Sequence, residues 1–392
     1  MTEVRPFSAL RFRGPLGPRL APPYDVISEE ERAGYAKEPE NIVHLTLPPG
    51  PEGTRDYEGA AETLRGWIAE GTFVRDTGPR LYVLAEHTRE GPTRRGLLAL
   101  VRLADYAEGT VLPHERTLRG PKEDRLRLTR AVRANLEPLF FLYADRERAL
   151  DRAVDAITAG EPVVRASAPG GVRIDLFETT QAEVIDAFRT SLSSQKLVIA
   201  DGHHRYETML RYRDECREAS GADRDAPHEF VLGYLVNALD PGTQVRAIHR
   251  VAQVEAKALL GRATEAGFTA ESLRHDDVNL VLAALSSRIR TEHAFGMIAP
   301  GTLTILQRPR GSKLDVEVLH EDLLLDVPVR FDAEADRVAR AARAGEGVGL
   351  LLNPIDPEDL FRVVASGRLL PQKSTYFSPK IPSGLVVRDF VA

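Results

Sequence analysis

The sequence predicts a mixed α/β fold of the α+β type, and three observations support this prediction. Apolar runs typical of strands are interspersed with amphipathic helical segments, but without the regular strand–helix alternation of a parallel α/β protein. Hairpin signals also occur, the clearest being Pro169, Gly170 and Gly171 between two alternating segments. Of the 392 residues, 43% are hydrophobic, so the chain can bury a large core without disulfides.

The helices are predicted from capping signals and from the 3.6-residue period of apolar positions. Ser28 and Glu31 have the spacing of a capping box, which predicts a short helix from residue 29. Further helices are predicted at 56–70, 123–134, 181–190 and 203–219.

The strands are predicted from short apolar or alternating runs bounded by turn residues. They are expected at 41–47, 80–87, 96–106, 138–144, 161–179 (a hairpin), 196–200, 229–239, 245–252, 293–299, 302–308 and 347–352. A chain of 392 residues is long enough for two domains, expected at 1–150 and 151–392, or for one composite unit.

Composition argues against several classes of protein. The net charge of −6 is unlike that of a dedicated nucleic-acid binder. The single cysteine, Cys216, rules out an intrachain disulfide and favours a reducing compartment. The N-terminus has no signal-peptide pattern, and no run of about 18 apolar residues predicts a membrane span. We therefore expect a cytoplasmic protein, and composition leaves its oligomeric state open.

The stretch "VIADGHHRYETML" is the first candidate site, because ionisable groups stand where a strand should pass into a helix. Gly202 allows a tight turn, and helix N-termini favour anions. Arg205 can bind phosphate through two hydrogen bonds, and His203 and His204 can donate to phosphoryl oxygens or move a proton. Asp201 can hold a metal or accept a hydroxyl proton. The alternative interpretation is an N-cap aspartate followed by two surface histidines.

A zinc site is a further alternative for the same stretch. His203 and Glu207 are four residues apart and share one helix face. No HExxH pattern accompanies them, so the sequence leaves the metal unassigned.

The stretch "LPHERTLRGPKEDRLRL" is the second candidate. His114 and Glu115 are candidate catalytic residues, and Lys122 and Arg125 are candidate phosphate ligands. Cations in the first turn of a helix oppose its dipole, which is easier to understand if they serve an anion. An ordinary solvated helix face is the alternative.

The stretch "PQKSTYFSPKIPSGLV" is the third candidate. Only seven of the 52 cationic residues are lysines, and two of them, Lys373 and Lys380, lie here. Lys373, Ser374 and Thr375 can offer phosphate one charge and two hydroxyls, but the glycines of a P-loop are absent. The alternative is a rigid connection bounded by prolines.

A fourth stretch, "APPYDVI", combines a rigid proline pair with two functional side chains. Tyr24 can stack on a base or pack in the core, and Asp25 can coordinate a cation.

These four stretches, in this order and spread over nearly the whole chain, resemble the signatures of the domain-of-unknown-function family 1015. "ADGHHRYET" and "PQKSTYF" are the more specific of them, and "IHR" at 248–250 is similar to a family "THR" element. "DGHHR" also resembles an element of free-serine kinases. That resemblance implies a ParB/sulfiredoxin-like nucleotide-binding core, elaborated with additional strands and helices, with Asp201–Arg205 beside the phosphates. Glu115 is then the candidate for the catalytic glutamate.

Two functions are consistent with this interpretation. The first is a nucleotide-dependent phosphotransferase, with ATP or ADP and Mg²⁺, that acts on a small hydroxylated metabolite such as serine or phosphoserine. Asp201 or Glu115 would act as the base, and Arg205 and Lys373 would neutralise charge. The second is a ParB-like nucleotide switch or hydrolase that acts through a macromolecular partner. The acidic net charge and the lack of a basic tail count against DNA as that partner.

Overall fold

The structure is a computed structural model that describes residues 1–50, 54–88, 91–115, 119–273 and 277–390. Helices and strands are mixed throughout this part of the chain, so the predicted fold class is confirmed.

The strands are short to medium in length and are numbered in chain order. They are β1 (Val4–Arg5), β2 (Leu10–Phe12), β3 (Phe73–Arg75), β4 (Leu81–His87), β5 (Arg94–Arg102), β6 (Val111–Leu112), β7 (Ala134–Asn135), β8 (Leu139–Tyr143), β9 (Val164–Ala168), β10 (Val172–Thr179), β11 (Leu197–Asp201), β12 (Phe230–Asn237), β13 (Gln244–Arg246), β14 (His249–Ala252), β15 (Thr269–Ser272), β16 (Glu292–Ala299), β17 (Thr302–Pro309), β18 (Val329–Asp332), β19 (Val348–Leu351), β20 (Tyr376–Ser378) and β21 (Arg388–Asp389).

The α-helices range from one turn to five turns. They are α1 (Glu29–Tyr35), α2 (Val43–Thr46), α3 (Tyr57–Ala69), α4 (Arg119–Val132), α5 (Asp151–Thr158), α6 (Ala182–Ser193), α7 (His203–Ser220), α8 (Ala256–Glu265), α9 (Val278–Arg288), α10 (Asp315–Val318), α11 (Ala335–Arg343) and α12 (Pro357–Ala365). Short 3₁₀ helices occur at Gly17–Arg19, Tyr24–Val26, Tyr106–Glu108, Pro169–Gly171 and Pro227–Glu229, and a π-helical turn spans Leu319–Leu324.

Two compact units can be distinguished along the chain. The first contains residues 1–113, 117–244 and 379–392, and the second contains 114–116 and 245–378. The division predicted near residue 150 stays a prediction, and the observed units divide the chain at other positions.

The first unit is organised by a nine-stranded mixed sheet in the order β6-β11-β8-β12-β5-β4-β10-β9, with β1 also paired to β5. β12 runs parallel to β8 and antiparallel to β5. The central strands β8 and β12 are buried along their whole length, which explains their continuous apolar runs. β11 pairs antiparallel with β8, so Asp201 at the end of β11 lies opposite Phe140 near the start of β8.

The second unit is built on a six-stranded antiparallel sheet in the order β15-β17-β16-β19-β14-β18. Helices α9 and α11 pack apolar side chains on it, with Val281, Leu285 and Val338 buried in its core. The strand predicted at 245–252 is interrupted, because β13 ends at Arg246 and β14 begins at His249.

Local signals placed most elements correctly, but one prediction was wrong. The capping box of Ser28 and Glu31 is present, and Asp56 caps α3 at the predicted position. The strand predicted at 41–47 is instead the one-turn helix α2. The buried Asn41 side chain accepts a hydrogen bond from the Val43 N–H at 2.9 Å and donates to two carbonyls, so it initiates a turn rather than a strand. Within the described ranges, every helix is too short or too polar to span a bilayer.

Candidate functional site

The site begins where β11 passes into α7, as the sequence predicted. β11 ends at Asp201, and α7 starts at His203 with Gly202 as its N-cap. The pairing of β11 with β8 shifts register between Ile199 and Asp201, and such a bulge redirects the side chain that follows it. Gly202 has φ = +97°, a conformation that other residues adopt only with strain.

Asp201 anchors two cations at this turn. One carboxylate oxygen accepts a hydrogen bond from the Lys380 ammonium, and the other accepts from Arg205 Nη2 at 3.0 Å. Arg205 Nη1 also donates to the Pro138 carbonyl at 2.9 Å, so the guanidinium is held in one orientation. The three charged groups are largely shielded from solvent.

A second carboxylate, Glu137, lies on the other side of Arg205. Its Oε2 is 3.8 Å from Arg205 Nη1. Its Oε1 accepts hydrogen bonds from the Tyr24 backbone N–H at 3.1 Å and from the Ser383 hydroxyl at 2.6 Å. Glu137 thus joins the "APPYDVI" segment, the C-terminal segment and the helix that carries Arg205.

Asp25 lies on the 3₁₀ helix next to Tyr24 and is exposed. No hydrogen bond or ion pair connects its carboxylate to another residue in the described part of the chain. Crowding by protein atoms and the negative charge of Asp201 raise the pKa of Asp25, partly offset by Lys380 and Arg205. Its exposure means that solvent screening limits the size of this shift.

Asp201 behaves in the opposite way. Burial alone would raise the pKa of its carboxyl, but the charges of Lys380 and Arg205 outweigh burial and lower that pKa to about 2. Asp201 is therefore ionised at pH 7, whereas Asp25 ionises less readily than a free aspartate.

Two recesses of the first unit meet at Arg205 and Glu137. The smaller recess also contacts Asp201, Lys380 and Ser383. The larger recess has mostly apolar walls, formed by residues such as Leu128, Val132 and Leu139. The Arg205 side chain therefore forms part of the wall of both.

The remaining predicted residues of the first unit lie around α7. His203 is buried and is among the groups that lower the pKa of Asp201, after Lys380 and Arg205; His204 is half-buried. Lys122 donates to Glu207 of α7 at 2.7 Å. Arg125 is buried: it donates to the Thr46 carbonyl and packs over the Tyr24 ring at 4.2 Å.

The other predicted residues form a separate group in the second unit. The Thr375 hydroxyl is 3.0 Å from His114 Nε2, and the Lys373 backbone N–H donates to Glu115 at 3.0 Å. The Ser374 hydroxyl donates to the Pro371 carbonyl three residues earlier, across the turn at 372–373. The structure therefore groups Tyr24 and Asp25 with the "DGHHR" turn, and His114 and Glu115 with the "KST" triplet.

Sequence reasoning missed two residues of the site, Glu137 and Ser383, and it noted Lys380 in the third candidate stretch without giving it a role. Two signals were present. Lys380 is one of the few lysines in an arginine-rich chain, and Glu137 is an isolated carboxylate in the apolar run "ANLEPLFFLY". Neither signal identifies a partner, because Lys380 is 179 positions from Asp201.

The turn at Gly202 gives a stability prediction. A Cβ on residue 202 would lie 2.6 Å from Leu139 Cδ2 and 3.0 Å from Arg205 Nη2. Gly202→Ala should therefore combine backbone strain with overpacking. We expect it to lower the free energy of unfolding by about 1–3 kcal/mol more than an alanine substitution at a positive-φ glycine with open space around it. Gly109→Ala is the matched control, since Gly109 has φ = +67° and open space around it. Denaturant titrations measure both, and equal losses would contradict the crowding argument.

Comparisons with known proteins agree with the resemblance drawn from the motifs. The family described as "Protein of unknown function (DUF1015)" matches residues 4–327. The chain belongs to this family. A comparison with curated proteins gave no match.

Three solved structures are similar to the chain of this DUF1015 protein over most of its length. A conserved hypothetical protein from Pyrococcus furiosus is 15% identical, covers 71% of this chain and 92% of its own, and has a TM-score of 0.37. A free serine kinase in complex with AMP is 12% identical, with coverages of 68% and 83% and a TM-score of 0.36. A C-terminally truncated SbnI from Staphylococcus aureus is 12% identical, with coverages of 73% and 85% and a TM-score of 0.38.

The predicted similarity to free serine kinases is thus confirmed as a similarity. With TM-scores below 0.5, these likenesses assign no ligand and no residue role to this chain.

Proposed function

We propose that this protein is a nucleotide-dependent phosphotransferase that acts on the hydroxyl group of a small metabolite, with free serine or phosphoserine as the first candidate. The observation that carries the proposal is the charge cluster of Asp25, Asp201, Arg205 and Lys380 at the N-terminus of α7. Serine is the first metabolite to test because "DGHHR" resembles the element of free-serine kinases.

The two cations suit the phosphoryl group being transferred. The N-terminus of α7, a helix of 18 residues, favours negative charge, and the N-cap Gly202 has no side chain that would occupy its amides. Asp201 stays ionised and holds both Arg205 and Lys380, so their charges need no rearrangement when negative charge develops.

Asp25 suits the role of proton acceptor. In the proposed forward reaction, the serine hydroxyl oxygen bonds to the terminal phosphorus of the nucleotide. The bond from that phosphorus to the bridging oxygen breaks, and the hydroxyl proton passes to Asp25. The low pKa of Asp201 argues against the proton-accepting role that its sequence position suggested, and the raised pKa of Asp25 favours it instead.

The charge balance of the cluster indicates what accompanies the nucleotide. Three carboxylates, Asp25, Asp201 and Glu137, outnumber the two cations of the cluster, and an additional cation would offset this imbalance when a polyphosphate binds. Among the described residues, no group of three or more His, Cys, Asp or Glu side chains is arranged to hold a metal ion. Mg²⁺ in nucleotide sites is usually bound by phosphates together with one or two carboxylates, so the nucleotide would bring it.

Turnover in either direction tests the proposal. Purified protein is incubated with Mg²⁺, serine and ATP or ADP, and separately with phosphoserine with or without a nucleoside diphosphate. Phosphoserine is followed by mass spectrometry and free phosphate by colorimetry. We expect turnover in at least one direction, and its absence in every combination would remove serine as the substrate.

Arg205→Lys tests the phosphate contact without removing the charge. The Arg205 guanidinium is held in one orientation by Asp201 and the Pro138 carbonyl, and lysine cannot reproduce this planar arrangement of donors. The variant should therefore lose one charge-assisted hydrogen bond to the phosphate, and nucleotide affinity should fall about tenfold. Arg211→Lys is the matched control, because Arg211 is an exposed residue of the same helix. Calorimetry measures both, and an unchanged affinity in Arg205→Lys would remove Arg205 from the nucleotide site.

A further inference from the structure

Arg250, in strand β14 of the second unit, is a buried cation that forms no ion pair with a carboxylate among the described residues; its guanidinium packs over the Phe331 ring, 5.3 Å from the ring centroid. The residue is 1% exposed. Its Nη1 donates to the Ile248 carbonyl, and its Nη2 donates to the Lys373 carbonyl at 3.2 Å. Its Nε is shielded from solvent and has no hydrogen-bond partner within the described ranges.

Three other buried arginines among the described residues, Arg94, Arg125 and Arg213, pair with carboxylates, whereas the guanidinium of Arg250 donates to backbone carbonyls. Arg388 also donates to backbone carbonyls, but the charge of Asp389 partly offsets the effect of its burial. Burial acts to lower the pKa of Arg94 and of Arg205, but neighbouring carboxylates outweigh it and raise both values. For Arg250, burial is the sole cause of a shift, and it lowers the pKa to about 9. Arginine is almost never fully buried without a partner, because an uncompensated charge in the interior is costly.

A second unpartnered group lies in the electrostatic neighbourhood of Arg250. His320, in the π-helical turn, has an Nε2 that is shielded from solvent and makes no hydrogen bond to the described residues. Burial and the charge of Arg250 lower the pKa of His320 to about 4, so its imidazole is neutral at pH 7 and can donate one hydrogen bond from Nε2.

The backbone next to Arg250 is also unusual. Lys373, whose carbonyl accepts from Arg250, has φ = +55°, which is rare for a residue other than glycine. Strained residues of this kind are concentrated at ligand sites. A strained backbone and a cation without a carboxylate partner among the described residues therefore meet at Arg250, and the unpartnered imidazole of His320 lies within range of that charge.

We propose that Arg250 and His320 form an anion-binding site in the second unit, which binds a small ligand bearing a phosphate or a carboxylate group. Such an anion would supply the missing countercharge and accept hydrogen bonds from Arg250 Nε and His320 Nε2. A water molecule would satisfy the hydrogen bonds but not the charge. This site is additional to the proposed phosphotransferase site, since its residues belong to a different group of side chains.

Arg250→Met tests the site, because methionine keeps much of the volume and removes the charge and the donors. Binding of inorganic phosphate, phosphoserine and acetate is measured by calorimetry, with sodium chloride added to keep ionic strength constant. The three anions distinguish a phosphate ligand from a carboxylate ligand. We expect at least one of them to bind the wild type about 10–100-fold more tightly than Arg250→Met, as loss of a charge-assisted contact predicts.

Two variants serve as controls. Arg246→Met removes a nearby exposed arginine that pairs with Glu334, and it should bind the anion as the wild type does. Arg205→Lys alters the first unit alone, so loss of anion binding in Arg250→Met but not in Arg205→Lys separates this site from the proposed nucleotide site. If Arg250→Met does not fold, His320→Phe replaces it, with a several-fold loss of affinity expected.

Two results would overturn the proposal. The first is equal anion affinity in Arg250→Met and Arg246→Met, or in His320→Phe and the wild type if that variant is needed. The second is a pair of crystal structures, one grown with phosphate and one with acetate, that both show only water beside Arg250 Nε and His320 Nε2.

Discussion

Asp25→Asn should reduce phosphoryl transfer by about 10²–10⁴-fold, the usual contribution of a positioned general base. The substitution keeps the size of the side chain and removes its ability to accept a proton. Asp25 is the carboxylate of the cluster that no hydrogen bond engages among the described residues, whereas Asp201 and Glu137 are held by Lys380, Arg205, Tyr24 and Ser383. Nucleotide affinity, measured by calorimetry, should change much less than turnover.

The pH dependence follows from the raised pKa of Asp25. A carboxyl group with a raised pKa in the folded state accepts a proton only above that value, so activity should be lost as the pH falls through it. This acidic limb should lie above pH 3.8, the ordinary pKa of aspartate, and should be absent from the residual activity of Asp25→Asn.

Stability provides the control for this prediction. A raised folded-state pKa means that the ionised form is less favourable in the folded protein than in the unfolded chain. The protonated carboxyl of Asp25 therefore stabilises the folded protein below the unfolded-state pKa, and this contribution is lost as the pH rises through the folded-state pKa. At pH 7, where it is lost, Asp25→Asn should be at least as stable as the wild type.

A matched variant controls for the effect on turnover. Asp186→Asn, at an exposed carboxylate of α6, should leave turnover unchanged. Equal turnover in the two variants would mean that Asp25 is not the proton acceptor.

The strand-to-helix turn of the site could be predicted from sequence because its determinants are local. An apolar run sets β11, Gly202 permits the positive φ, and the following residues have helical periodicity. The same reasoning located the Ser28 capping box and the hairpin at 169–171. It was wrong at 41–47, where the contacts of Asn41 with Pro18 and Leu20 outweigh the strand-like pattern.

The partners within the site could not be predicted, because each contact joins segments that are far apart in sequence. Lys380 contacts Asp201 across 179 positions, and Ser383 contacts Glu137 across 246. A single sequence contains no signal that pairs a particular cation with a particular carboxylate. The motifs identified the segments, and only the fold shows that Lys380 lies beside Asp201 while Lys373 contacts Glu115 and Arg250.

The pair of Arg94 and Glu86 connects the core of the first unit to the site. The two residues are directly opposite each other on β5 and β4, and Arg94 donates two hydrogen bonds to Glu86 at 2.7 and 2.8 Å. Tyr234 donates to the same carboxylate at 2.8 Å. Arg94 Nη2 also donates to the Pro379 carbonyl at 2.6 Å, and this bond fixes the residue that precedes Lys380.

Arg94→Met should lower the free energy of unfolding by about 3–5 kcal/mol, the usual cost of leaving one member of a buried ion pair without its partner. Glu86 is 0% exposed, so its charge cannot be solvated when the guanidinium is removed. Adding Glu86→Met should restore much of the lost stability, because replacing a whole buried pair with apolar residues is often neutral. Denaturant titration of the three variants measures these differences.

The neighbouring residue provides a matched control for this last prediction. Arg95 also lies on β5 and forms an ion pair, but its partner Asp155 is exposed, so Arg95→Met should cost less than about 1 kcal/mol. Arg94→Met should in addition weaken nucleotide binding in the Glu86→Met background, where stability is restored, because Pro379 and Lys380 lose their anchor. Equal stability losses in Arg94→Met and Arg95→Met would show that the buried pair is not essential to the fold. Full nucleotide affinity in the double variant would show that it does not position Lys380.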